Sequence, residues 1–366
     1  MRSRPVRWLA TWLATWPATW PATWRRSTQG VLGLSEAPWR WSAGVRAAIA
    51  TGGPLAAFAL AGHASAGLVA ALGAFTALYG ASLPPAGRLT VLPWVGAGFV
   101  AASALGVLCA GGPLLAAAGL VAAALVAGPL AFRVRLGPPG PMMFMLVAGI
   151  SGHVAGPGGA AMGGPLVPAL VAVGALAAYA LVIAPLALPS VRRQGTGPPG
   201  GAGALAPAPL DREARIILAR IVAAVALAGL VSLPLGVNRA YWVAMVAGSV
   251  LQASHVRRLA LVRIAQRVLG TVLGLGLFGV LAWARPGGVW LAGTVALLQF
   301  AVEVVVARNY GLGLVFITPL ALTISAAGGG DDPLWLAGER VGGTLLGAGV
   351  ALAVLWAGDR AAAVRG

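Results

Sequence analysis

The sequence predicts an all-α integral membrane protein of about twelve transmembrane helices, arranged as two parallel six-helix repeats. Three observations carry that expectation. Of 366 residues, 59% are hydrophobic and only 9% are charged, where soluble proteins average roughly 25% charged. With mean hydropathy at +0.89 the chain has too few polar groups to cover a soluble body of its size, which excludes a soluble enzyme. From Gly44 onward, apolar stretches follow one another with short breaks of Pro, Gly and Arg, each near the ~20 residues that a helix needs to cross hydrocarbon. The arginines fall almost entirely in alternate breaks.

In order, the expected spans are 44–61, 65–83, 91–110, 113–131, 141–156 and 165–188, then 216–233, 240–253, 264–284, 288–306, 310–327 and 335–356. The fifth and eighth are short, as broken or re-entrant segments are. All 25 basic residues are arginine, and the net charge is +17. With the N-terminus inside, 22 arginines fall in the tails and even-numbered connections or at the span ends beside them, and 3 fall outside, namely Arg239, Arg285 and Arg340. Such asymmetry is the positive-inside pattern of a cell inner (plasma) membrane protein with both termini cytoplasmic. No basic stripe is present, so lipid rather than nucleic acid is the expected partner. The sequence leaves a homo-oligomer open.

Five regions follow: an extension over 1–43, a first membrane repeat over 44–189, a linker over 190–214, a second repeat over 215–357 and a tail over 358–366. The linker is too rich in Gly and Pro to bury a core. A shift of 174 residues pairs Arg46 with Arg220, Gly62 with Gly236, Gly137 with Gly311, Ile150 with Ile324, Ser151 with Ser325 and Gly156 with Gly330. Six spans per half give both halves one orientation. Within the second half, Arg267–Gly274 reads RVLGTVLG and Arg340–Gly347 reads RVGGTLLG, identical at six of eight positions. These run in opposite directions, which suggests an inverted pair of three-span units; two Gly-x-x-x-Gly packing faces explain the echo equally well. In the extension, Trp8, Trp12, Trp16, Trp20 and Trp24 recur every fourth residue, with Pro17 and Pro21 opposing a continuous helix. An interfacial segment on anionic lipid and a low-complexity extension without a role both fit.

Polar side chains within lipid are costly unless paired or facing a cavity, so the rare ones are the candidates. Glu303 is the only acidic residue well inside an apolar span, and is either a proton-coupling group or a glutamate near the cytoplasmic end neutralised by Arg308. His153 is a second candidate for proton coupling, with packing as its alternative. Tyr241, Trp242, Gln252 and Tyr310 cluster about the eighth and eleventh spans. The aromatics form either a slot for a ring or an interfacial belt. Pro319, beside Thr318, frees the carbonyl of Val315, a break that suits a binding site. Arg267 and Arg340 stand at the starts of their spans on opposite faces, where a guanidinium attracts a carboxylate; Arg340 alternatively pairs with Glu339, Asp331 or Asp332.

Other chemistry is excluded or unsupported. Cys109 is the single cysteine, so no intrachain disulfide forms, and it reads as a small core residue. The chain has no lysine, hence no Walker loop, and neither a GxSxG elbow nor an HExxH helix is present. No catalytic residue, metal site or cofactor is expected.

YWVAMVAGSVLQ, RIAQRVLGTVLG, RNYGLGLVFITPLALTIS and ERVGGTLLGAGVAL follow in this order. Together they resemble the membrane domain of the fusaric acid resistance or aromatic acid exporter family, over roughly residues 215–357, with 46–80 resembling the corresponding part of the first half. The resemblance implies an inner-membrane exporter of aromatic carboxylic acids or similar organic anions, driven by the proton gradient. Many relatives insert a soluble domain where this chain has only its linker. The expected carrier binds its small organic anion near Arg267 and Tyr241, while Glu303 exchanges a proton. A passive organic-anion channel and a non-transporting membrane scaffold are the alternatives.

Overall fold

Among the described residues, α-helices follow the expected stretches in order. The computed structural model describes residues 30–81, 83, 85–156, 162–187, 207–253, 256–329 and 331–363, and no strand occurs among them. The tryptophan repeat at 8–24, most of the linker and His255 lie outside the described residues. In the first half the helices are α1 (Trp41–Leu60), α2 (Ala64–Gly73, continued by a 3-10 turn over Ala74–Leu78), α3 (Pro85–Leu108), α4 (Pro113–Arg133), α5 (Met142–Ala155) and α6 (Leu166–Ile183). In the second half they are α7 (Arg212–Ser232), α8 (Ala240–Leu251), α9 (Arg257–Ala284), α10 (Gly288–Val305), α11 (Tyr310–Gly329) and α12 (Pro333–Ala363).

Nine of these helices are long and apolar enough to cross a bilayer, so the chain is a multi-pass membrane protein. The exceptions are α2, α5 and α8. The 12 residues of α8 rise only ~18 Å at 1.5 Å per residue, well short of a ~30 Å hydrocarbon core. Every residue from Tyr241 to Leu251 is buried, as befits an apolar helix wrapped by protein rather than lipid. A dozen full crossings therefore do not follow from helix length.

Two of the helix starts that precede the sequence expectation have local reasons. In α7 the Asp211 side chain accepts from the Ala214 amide at 2.7 Å and Glu213 sits in the first turn, so capping and the helix dipole start the helix at Arg212 rather than 216. In α9 the arginine-bearing turns 257–263 are helical although too polar to count as span. Cys109 is not inside a helix; it lies half-buried in the turn after α3.

Small residues bring the helices together. A Cβ on Gly73 of α2 would strike the Val171 carbonyl of α6, and one on Gly174 would strike the Ala70 carbonyl. Gly270 of α9 likewise meets the Gly311 carbonyl of α11, and Gly347 of α12 meets Val246 of α8. Lipid tails are as apolar as leucine, so this close backbone packing is what drives association. Between halves, α1 packs extensively on α10, and α4 on α7.

Ion pairs tie the helix ends. Arg257 at the start of α9 pairs with Asp359 near the end of α12 at 2.8 Å. At the opposite end of α12, Arg239 pairs with Asp331 and Glu339, both at 2.6 Å. Burial opposes the charge of Arg239, yet its carboxylate partners outweigh that and hold the guanidinium above its ordinary pKa. Before α1, the segment Gly30–Arg40 is a strap pinned to the second half. Gln266 donates to the carbonyls of Gly30 and Val31, and Asn309 to those of Val31 and Gly33. The Ser35 amide donates to the Arg308 carbonyl at 2.8 Å.

A candidate anion cavity in the second half

The rare polar groups converge. A cavity of about 1000 Å³ is lined by residues of α7 to α12 from the second half, of α2, α4 and α5 from the first, and of the segments before α5 and α7. Eight of the sequence candidates line it, namely Tyr241, Trp242, Gln252, Arg267, Tyr310, Glu303, His153 and Arg340. Thr318 and Pro319 are not among the lining residues. Thr318 is fully buried against Gly274 of α9, so this part of α11 serves helix packing.

At one end, Arg267 donates through Nη1 to the Tyr310 hydroxyl at 2.6 Å and to Ser249 Oγ at 3.1 Å. The two hydroxyls are themselves 3.1 Å apart. Arg263, one helical turn before Arg267, lies over the Tyr310 ring at 4.4 Å. No carboxylate lies within ion-pair distance of either guanidinium among the described residues. Tyr241 and Trp242 are buried rather than set at the lipid interface, which corrects the belt reading for both. Trp94, Trp283, Trp290 and Trp356 are instead among the exposed aromatics.

At the other end, Arg340 is 3% exposed and lines the same cavity, with its guanidinium 5.2 Å from the Trp242 ring. The acids expected to neutralise it are engaged elsewhere. Asp331 and Glu339 are taken by Arg239, and Asp332 caps α12 by accepting from the amides of Leu334 and Trp335. Glu303 is buried in the cavity wall beside Arg40 of the strap, at 3.5 Å. Arg308 does not neutralise it, since that side chain covers Trp39 at 4.3 Å and donates to the Ser35 carbonyl. His153 sits ring to ring with Tyr241, centroids 6.0 Å apart. Gln252 donates to the Pro139 carbonyl at 3.4 Å.

Sequence reasoning missed Ser249, Arg263, Gln299 and Arg40, all in the lining. Arg263 carried a signal, because positions four apart share one helix face. Arg40 carried none, since its partner is on α10.

Residues 223–354 match the family model described as fusaric acid resistance protein-like. That match lies wholly within the second half of the chain. Tyr241, Trp242, Ser249, Arg263, Arg267, Glu303, Tyr310 and Arg340 all belong to it, whereas Arg40 and His153 reach the cavity from outside the fusaric acid resistance protein-like region. Over 98 residues the chain is 38% identical to an uncharacterized membrane protein, YvaC, of Bacillus subtilis (strain 168). That match covers 27% of this chain and 15% of the relative's length. No solved structure matches the chain.

Proposed function

We propose that this protein carries organic anions, foremost aromatic carboxylates, across the cell's inner membrane. One observation supports this above the others: Arg267 is buried in a membrane protein with no acidic partner among the described residues, its Nη1 held by Tyr310 and Ser249, and it lines a ring-walled cavity. A buried guanidinium is costly alone, and a carboxylate fits its paired donors. Aromatic walls at Tyr241, Trp242 and Tyr310 suit a planar ring.

We assign the frame as two parallel six-helix repeats with both termini cytoplasmic. A shift of 174 residues overlays each helix of the first half on its counterpart in the second. The packing partners correspond as well: α1 with α2 and α7 with α8, α3 with α5 and α9 with α11, α2 with α6 and α8 with α12. Gly62 and Gly236, paired by that shift, both follow the first helix of their half at positive φ, 79° and 58°, where glycine avoids a Cβ clash. Repeats of this kind are a common transporter frame, with sites at their interface.

Efflux from reconstituted vesicles loaded with benzoate tests the assignment. Wild-type protein is expected to release benzoate, with the Arg267→Gln variant slowed about tenfold through the lost bidentate contact. Unchanged release by the variant, or none above empty vesicles by the wild type, would sink the reading. Anion current without accompanying proton movement would make the protein a channel rather than a proton-coupled carrier.

A further inference from the structure

Resting on the anion-site reading, we propose that the cavity has a second anionic pole at Arg340, so that its preferred occupant is an aromatic dianion with charged groups at opposite ends of the ring. Arg340 is buried, lines the cavity, and has no carboxylate within ion-pair distance among the described residues. Its Nε has no hydrogen-bond partner. The nearest acids are engaged by Arg239 and by the α12 cap. A buried donor of this kind is costly until an acceptor reaches it.

The echo between Arg267–Gly274 and Arg340–Gly347 explains how both arginines reach one cavity. In each copy the glycines pack their helix tightly on a partner, Gly270 and Gly274 on α11, Gly343 and Gly347 on α8. Each arginine stands one turn before that contact, and each meets an aromatic residue at the start of the partner helix: Tyr310 for Arg267, Trp242 for Arg340. The Arg257–Asp359 and Arg239–Glu339 pairs place the starts of α9 and α12 at opposite ends of the bundle, so the two guanidinium groups enter from opposite directions. Both line the one cavity. Two like charges held in one cavity are compensated when the occupant brings a negative group to each. A monocarboxylate compensates one.

Calorimetric titration of the full chain in nanodiscs with terephthalate and with benzoate separates the poles. Wild-type protein is expected to bind terephthalate about tenfold tighter than benzoate, and Arg340→Gln to remove that preference by weakening terephthalate far more than benzoate. Arg340→Lys, which keeps the charge and stem but not the planar fork, should weaken terephthalate selectively if the glutamine variant does not fold. Equal weakening of both ligands by either variant, or no wild-type preference for terephthalate, overturns the second pole while leaving the first intact. Binding of neither ligand by the wild type would instead overturn the anion-site reading itself.

Discussion

Arg40 and Glu303 meet at 3.5 Å across the boundary between the strap and α10, at the wall of the cavity. Breaking a buried pair leaves an uncompensated charge, so separation demands protonation of the carboxylate or a rival anion for the arginine. Either event links substrate to proton. We expect Glu303→Gln to retain benzoate exchange between vesicle compartments while losing acceleration by an imposed proton gradient. Gradient-driven export that survives intact in this variant would remove Glu303 from coupling.

Arg239 holds two carboxylates at 2.6 Å each, with its own side chain almost wholly buried. Truncation leaves Glu339 and Asp331 facing one another without a cation. We expect Arg239→Ala to destabilise the protein by about 3 kcal/mol, the usual cost of breaking a buried pair, read as a lowered melting temperature in detergent. Asp331→Asn should cost less, because Asp331 is the more exposed partner and Glu339 remains. A larger loss from Asp331→Asn than from Arg239→Ala would reverse this account of the cluster.

The order and approximate extent of the helices were readable because lipid imposes a length and an apolar composition on anything that spans it. Where polar chemistry rather than lipid set a boundary, as at Asp211 before α7 and in the arginine turns of α9, the hydrophobic stretch began too late. The candidate site was readable to the extent that it is built of residues rare in a membrane, such as Arg267, Tyr310 and Glu303. Ser249 is too ordinary a residue to stand out, although its hydroxyl fixes Arg267. Arg40 looked like one more cytoplasmic arginine, since nothing along the chain marks its reach to Glu303. Pro319 stands out in the sequence as a helix breaker, but neither it nor Thr318 lines the cavity, and Thr318 packs against Gly274.

Gly174 lies where α6 meets the Ala70 carbonyl of α2, whereas Gly293 on α10 has nothing within 4 Å of where a Cβ would stand. Backbone carbonyls cannot swing aside as side chains can. We therefore expect Gly174→Val to be severely destabilising, with loss of folded protein on size-exclusion chromatography. Gly293→Val should stay within about 1 kcal/mol of the wild type, since the added side chain meets no neighbour and valine is a better helix former than glycine. Similar behaviour of the two variants would mean that close packing between α2 and α6 does not hold the first half together.

The strap reaches the second half through side chains whose main work is to satisfy its backbone. Asn309 bonds the carbonyls of Val31 and Gly33 at 3.0 Å each, and Gln266 bonds those of Gly30 and Val31. Net hydrogen bonds of this kind stabilise by about 1 kcal/mol apiece, enough in combination to decide whether a short segment stays docked. We expect the double variant Gln266→Ala, Asn309→Ala to accelerate hydrogen exchange at the Ser35 amide, which is bonded to the Arg308 carbonyl, while exchange within α3 and α5 stays as in the wild type. Because Arg40 ends the strap, release should also loosen its pairing with Glu303 and blunt the response of export to a proton gradient. Faster Ser35 exchange with gradient response unchanged would show that the strap only anchors the chain, and would separate its docking from the coupling assigned to Glu303.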